Sequence, residues 1–307
     1  MVNQTWDNYG NEIKLLLPKE FNFHQNISYL ARNHNECLYY IKDNSISKAI
    51  SIGEETVLIE VSCEGEKDLI IRFLEDTNSV DAGTRDKAVR YVKEWFDLER
   101  DLQPFYSMAR EDPLLGPAVD SFYGLRIIGI PDLFEALCWG ILGQQINLPF
   151  AYTLKRRLVE NYGRSIIHDG VTYWLFPSPK EIASLSPKEL ESLQLTKRKS
   201  EYLIGVAQLM VQEKLSKDLL LNIGSHHHAE KMLVTIRGIG PWTANYVLMR
   251  CLRYPSAFPI DDVGLHNAIK QRLCMEKKPT KDEIMKLAVN WTNWEAYATF
   301  YLWRFLY

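Results

Sequence analysis

The sequence predicts an α+β protein, a small antiparallel sheet domain over residues 1–112 followed by an all-α domain over 113–307, on three observations. The first 80 residues carry short β-branched or aromatic runs separated by turn residues. From Asp81 onward the apolar spacing changes to the helical period of 3.6. Proline, serine and aspartate then recur where helices begin.

The predicted strands are Ile13–Leu17, Cys37–Ile41, Val57–Ser62 and Leu69–Phe73, with turns at Asp43-Asn44 and Glu64-Gly65-Glu66 and one or two short helices among them. Consecutive strands without long intervening helices pair antiparallel. Nothing in this region argues for chemistry, and it reads as structural. The first long helix, Arg85–Glu99, lines up Ala88, Val89, Val92, Trp95 and Phe96 on one face. Pro131–Ile146 opens on Pro-Asp and is nearly all apolar, so it is expected at the centre of the helical domain. Phe150–Asn161 stops before Gly163, and capping patterns at Ser178-Pro-Lys-Glu181 and Ser186-Pro-Lys-Glu189 open two short helices. Longer helices are expected over about 198–213, 226–236, 241–252, 262–273, 280–290 and 292–306.

Composition narrows the function classes. The 307 residues are 46% hydrophobic and 24% charged, ordinary for a globular protein. No apolar run approaches the roughly 18 residues of a membrane span, and Met1–Trp6 lacks the basic-then-apolar pattern of a secretion signal, so we expect a cytoplasmic protein of a bacterial cell. The five cysteines are scattered, with no C-x-x-C pair, which argues against a zinc ribbon, an iron–sulfur cluster or a disulfide framework. Net charge is −3, but residues 1–111 hold 13 basic and 20 acidic side chains while 112–307 hold 23 and 19. That modest basic surplus is compatible with a nucleic-acid partner without pointing to one.

The informative stretch is Ile236-Arg-Gly-Ile-Gly-Pro-Trp-Thr-Ala-Asn-Tyr246. One amphipathic helix ends at Ile236, Gly238 and Gly240 make a tight hairpin, and a second helix starts at Pro241. Both glycines can take positive φ, and neither has a Cβ to hold a phosphate off the backbone. The new helix offers its free N–H groups and positive dipole end to that phosphate. Such a grip reads no base sequence and needs few cations. Downstream comes Ala257-Phe-Pro-Ile-Asp-Asp-Val-Gly264, where two adjacent carboxylates open the next helix. One acidic residue suffices for a cap; two exceed what capping requires.

Together these strings resemble the signature of the helix-hairpin-helix (HhH-GPD) DNA glycosylase superfamily, and within it the 3-methyladenine DNA glycosylase II (AlkA) type. Phe134–Ile146 is similar to that family's Ile-Leu-Gly-Gln segment, and Leu175-Phe-Pro-Ser-Pro179 to another of its strings. The resemblance covers roughly 115–307 and, more weakly, the N-terminal sheet, which would match a TBP-like domain.

The resemblance implies a monofunctional glycosylase of base excision repair. It would bind double-stranded DNA as a monomer, flip out alkylated purines such as 3-methyladenine and 7-methylguanine, and leave an abasic site. Asp262 matches the catalytic carboxylate. Asp261, its neighbour, is the expected helix cap and second candidate. Trp242 and Tyr246, four apart on one helix face, would line the base pocket, although such a pair by itself reads as core. Trp291, Trp294, Tyr297 and Tyr301 are further wall candidates, read mainly as core. Arg237, Gly238, Ile239, Gly240 and Thr243 would form the DNA-binding hairpin. Gln144 matches the residue that enters the duplex, and Gln145 stands where an apolar wedge is usual. Pro241 stands where a basic residue is usual. Relatives with lyase activity carry a lysine where this chain has Trp242. No catalytic cofactor is implied; a structural Na⁺ or K⁺ would sit on the carbonyls of Val234, Ile236 and Ile239. His226-His227-His228 is not read as a metal site, and Lys197-Arg198-Lys199 reads equally as a DNA contact or a solvated face. Two other readings remain: a glycosylase for deaminated or oxidised bases, and a non-catalytic DNA-binding protein that has no use for the acidic pair.

Overall fold

The computed structural model describes residues 6–306 except 54, 66 and 75–79. Six antiparallel strands form the N-terminal sheet: β1 (Trp6–Tyr9), β2 (Glu12–Leu16), β3 (Tyr40–Lys42), β4 (Ser45–Ile52), β5 (Glu55–Glu64) and β6 (Asp68–Phe73), in the order β1-β2-β6-β5-β4-β3. A short helix, α1 (Phe23–Leu30), joins β2 to β3 and is capped by the Asn22 side chain. Asp43 and Asn44 both take positive φ, as a two-residue hairpin turn requires. Two strands of this sheet are missing from the sequence reading, β1 and β4, the latter hidden by its Ser-Ile-Ser-Lys start. Its Ile46, Ile50 and Ile52 join the main core, and the buried Lys48 ammonium donates to the Leu38 carbonyl at 3.2 Å.

The helices follow: α2 (Ala82–Trp95), α3 (Gln103–Glu111), α4 (Gly116–Ser121), α5 (Leu133–Leu142), α6 (Leu148–Tyr162), α7 (Pro179–Ala183), α8 (Pro187–Glu191), α9 (Lys197–Val211), α10 (Lys217–Asn222), α11 (His226–Val234), α12 (Pro241–Arg250), α13 (Val263–Arg272), α14 (Lys281–Leu287) and α15 (Glu295–Trp303). All ten residues of α5 are buried, so it is the central helix its composition predicts. Both serine capping boxes form. The second domain is not all helix, however. Between α6 and α7 a hairpin, β7 (Ser165–His168) and β8 (Val171–Trp174), turns on Asp169-Gly170, both at positive φ. Asp-Gly between β-branched runs is a hairpin signal. Leu175, just after β8, packs on Ala49 and Leu58 of the sheet.

One hydrophobic core runs from the sheet through α2 to α15. Buried polar groups stitch the two parts. Arg126 is fully buried and donates to the carbonyls of Glu20, Asp97 and Arg100. Asp97, itself at positive φ, accepts from Tyr297 and pairs with Arg100 and Arg253.

Candidate active site and DNA-binding hairpin

Helix α11 gives way at Thr235 to the hairpin, whose turn is closed by Ile239 N–H donating to the Ile236 carbonyl at 3.0 Å. Gly238 lies at φ +95°, and a Cβ there would fall 2.2 Å from the Tyr202 ring. Gly240 differs from expectation: it caps α12 at φ −91° in ordinary extended backbone, and a Cβ there would meet nothing within 4 Å. Conformation therefore demands glycine at 238. At 240 the backbone is simply left bare, beside the open first turn of α12.

The hairpin is held from behind. Gln144, just past α5, donates its amide to the Gly238 carbonyl at 2.8 Å and the Thr243 hydroxyl at 3.0 Å. Thr243 is only 1% exposed and packs on Gly140, so its side chain faces inward rather than toward DNA. Ile239 is likewise buried. Gln145 is the exposed member of the glutamine pair and stands at φ +56°. Arg237 projects outward and pairs with Glu201 at 2.7 Å. Of the basic run on α9, Lys199 is buried, donating to the Leu142 carbonyl at 2.7 Å, while Lys197 and Arg198 are exposed.

Asn245, in the second turn of α12, fixes the distance from hairpin to acidic pair. Its amide nitrogen donates to Glu230 and to the Pro241 carbonyl, and its oxygen accepts from Phe258 N–H at 2.9 Å. The chain from Phe258 then delivers Asp262 to the mouth of α13. The acidic pair divides its roles differently from the expectation. Asp262 is itself the N-cap, accepting from Leu265 N–H at 2.7 Å. Asp261 caps nothing; it turns outward and pairs with Lys281 at 2.6 Å.

Asp262 is also held by two tryptophans. Trp242 Nε1 donates to Oδ2 at 2.8 Å and Trp303 Nε1 to Oδ1 at 2.7 Å. Gly264 makes room, since a Cβ there would lie 2.8 Å from the Asp262 carboxylate and 3.2 Å from Trp303. Tyr246 stands between the indoles, its ring 5.7 Å from Trp242 and 6.3 Å from Trp303. Burial pushes its phenol above the usual range, so it stays protonated. Trp303 escaped the sequence reading; the candidates in its stead lie in the core, Trp291 donating to Asp112 and Tyr301 bonded to Tyr106. Trp294 and Tyr297 pack on Phe105. Of the three histidines, His226 bonds to Ser256 with the His227 ring 3.8 Å from its own, while His228 turns to Ser225. Among the described residues no group of three or more His, Cys, Asp or Glu is placed to hold a metal ion.

A bare-backbone hairpin joined to a fixed carboxylate and three aromatic rings is the arrangement of a helix-hairpin-helix protein with a buried acidic centre. The family model described as "HhH-GPD superfamily base excision DNA repair protein" matches residues 138–293, and the one described as "8-oxoguanine DNA glycosylase, N-terminal domain" matches 12–137. The chain belongs to the HhH-GPD superfamily. It is 54% identical to a DNA-3-methyladenine glycosylase of Bacillus subtilis (strain 168), across 99% of this chain and 100% of the relative. It is 33% identical to DNA-3-methyladenine glycosylase 2 of Escherichia coli (strain K12), covering 59% of this chain and 60% of that one. In fold it is similar to the solved 3-methyladenine DNA glycosylase of Archaeoglobus fulgidus, with a TM-score of 0.82 at 20% identity over 95% of this chain and 97% of that one.

Proposed function

We propose that this chain is a monofunctional DNA glycosylase of base excision repair that removes alkylated purines from double-stranded DNA. The observation that carries the reading is Asp262. A buried carboxylate held by two indole N–H groups and a helix N-terminus has no evident use in a pure binding module, and it stands beside a ready phosphate grip.

The chemistry follows from the placement. The hairpin backbone around Gly240 takes a phosphate, the target nucleotide leaves the stack, and Gln145, exposed beside the hairpin, fills the gap. The flipped base lies among Trp242, Tyr246 and Trp303, whose π faces favour an electron-poor ring. Its bond to the sugar breaks with the electron pair leaving on the base. Asp262, ionised, stabilises the positive charge that develops on the sugar. Water adds to that carbon and releases a proton, giving an abasic site. A base that already carries a positive charge leaves as a neutral molecule and needs little acid help.

With Trp242 in the position of the lyase lysine there is no amine at that point to form a Schiff base, so the product is an intact abasic site. The reading includes a monomer and a monovalent cation at the hairpin. The carbonyl of Val234 falls in the last turn of α11, where intrahelical donors run out, and those of Ile236 and Ile239 follow at the turn. Such an ion would stiffen the hairpin.

The test is direct. Methylated duplex DNA incubated with the protein releases free 3-methyladenine and 7-methylguanine, and borohydride traps no protein–DNA adduct. Absence of both free bases would overturn the alkylpurine reading, and a trapped adduct the monofunctional one.

A further inference from the structure

The sheet domain read from sequence as purely structural reaches the candidate base pocket. Arg250, at the last turn of α12, is 4% exposed and lies behind Tyr246. Its Nη1 donates to the Tyr246 hydroxyl at 2.9 Å and to the hydroxyl of Tyr29, on α1, at 3.3 Å. Its Nε donates to the Ile128 carbonyl, and its own carbonyl accepts from Ile130 N–H at 2.8 Å. The guanidinium is therefore fixed on several sides. Tyr29 is anchored in turn by the Phe300 ring at 4.6 Å and by the Arg32 guanidinium 3.8 Å above its face.

The consequence for Tyr246 is specific. A phenol has one proton to give, and Arg250 already donates to its oxygen. The Tyr246 proton is therefore turned away from the guanidinium, and the side chain cannot swing to another χ1 position without breaking a charge-assisted bond. Tyr246 and Arg250 share the lining of one inner cavity with Arg32, Trp139 and Tyr152.

We propose that Arg250 is a positioning residue: it sets the stance of Tyr246 in the base pocket and ties it to Tyr29, so that both domains fix the shape that selects the base. The proposal rests on the glycosylase reading and names what tunes its selectivity.

Arg250→Lys tests it in the full chain, because one ammonium cannot span the Ile128 carbonyl and two hydroxyls as the guanidinium fork does. Single-turnover release of 3-methyladenine and 7-methylguanine is measured alongside binding of a duplex carrying a tetrahydrofuran abasic analogue, which puts no base in the pocket. Arg250→Lys slows release by about tenfold, the range of a hydrogen bond to a charged group, and leaves abasic-duplex binding within about twofold. In a Tyr246→Phe background the same substitution causes no further loss. Tyr29→Phe, which removes a single oxygen from the relay, changes the ratio of the two released bases and keeps the test available if Arg250→Lys does not fold. Equal losses in both backgrounds, or a parallel loss of abasic-duplex binding, would overturn the proposal in favour of a general packing role. Release by wild type with Arg250→Lys and Tyr29→Phe unchanged overturns it alone, whereas no release by wild type overturns the glycosylase reading and this proposal with it.

Discussion

Replacing Asp262 with asparagine separates its two jobs. As an N-cap, asparagine serves as well as aspartate, so the bond from Leu265 N–H survives. One amide oxygen can also keep an indole donor. Leu265 and Trp303 share Oδ1, so the oxygen that becomes an NH₂ group is Oδ2, facing the Trp242 indole N–H. A buried donor left without an acceptor lowers stability by about 1–3 kcal/mol, a drop of roughly 2–9 °C in Tm at about 2–3 °C per kcal/mol. The catalytic loss is larger. A full negative charge about 4 Å from a developing cation is worth about 4 kcal/mol at an effective dielectric constant near 20. That corresponds to roughly a thousandfold in rate. Asp262→Asn is therefore expected to fold, to bind abasic-analogue duplex as wild type does, and to release methylated bases about 10³-fold more slowly in single-turnover assays. Release within about tenfold of wild type would refute the electrostatic role, whatever the family resemblance.

The remaining predictions probe the supports of the site. Gly238→Ala, strained at φ +95° and pressed into Tyr202, lowers stability by about 2 kcal/mol or more in denaturant titration. Gly240→Ala, with open space around its Cβ, unfolds like wild type yet weakens duplex binding by fluorescence anisotropy; unchanged binding would mean that the hairpin does not grip a phosphate there. Burial by itself raises the Glu36 carboxyl, but Lys155 and the Leu38 N–H hold it below the usual range. A carboxyl lowered on folding stabilises above its unfolded value of about 4.3 and loses that contribution as pH falls through the folded value. Glu36→Gln, which leaves buried Lys155 with Glu135 as its remaining carboxylate, is thus destabilised by about 3 kcal/mol near neutral pH, and the gap to wild type narrows below about pH 4. Asp97→Asn leaves Arg100 and Arg253 facing a neutral amide and lowers Tm by several degrees; a shift under about 1 °C would show that the cluster adds no net stability.

What could be read from sequence was what local rules enforce. Gly238, the capping boxes at Ser178 and Ser186, the buried face of α2 and the apolar α5 each satisfy a constraint within a few residues. The hairpin and acidic pair were legible as a constellation because both are short strings at a fixed spacing. What escaped depends on chain segments that meet only after folding. Trp303 reaches Asp262 across 41 positions, through the packing of α15 on α13. Tyr29 reaches Arg250 across 221. Trp291 and Tyr301, read mainly as core, are core, with their polar tips bonded to Asp112 and Tyr106 inside it. The assignment of Asp261 as the cap failed because composition cannot say which of two adjacent aspartates turns inward. Lys281 draws Asp261 outward, and Gly264 clears the space that Asp262 needs.

The bonding of Asp262 also bears on how it acts. A carboxylate has about four acceptor sites, and three contacts from Trp242, Trp303 and Leu265 engage them here. These donors come from α12, α15 and α13, so the position of the carboxylate is fixed from three sides. On the proposed reading, that fixed position suits an electrostatic role. Nor does the charge have to swing into place as the sugar becomes cationic, which is the condition under which electrostatic stabilisation is strongest. On the proposed reading, the same three bonds that hold Asp262 as a structural cap also suit it to electrostatic stabilisation. Cap and proposed catalyst coincide because both tasks ask for a carboxylate that does not move.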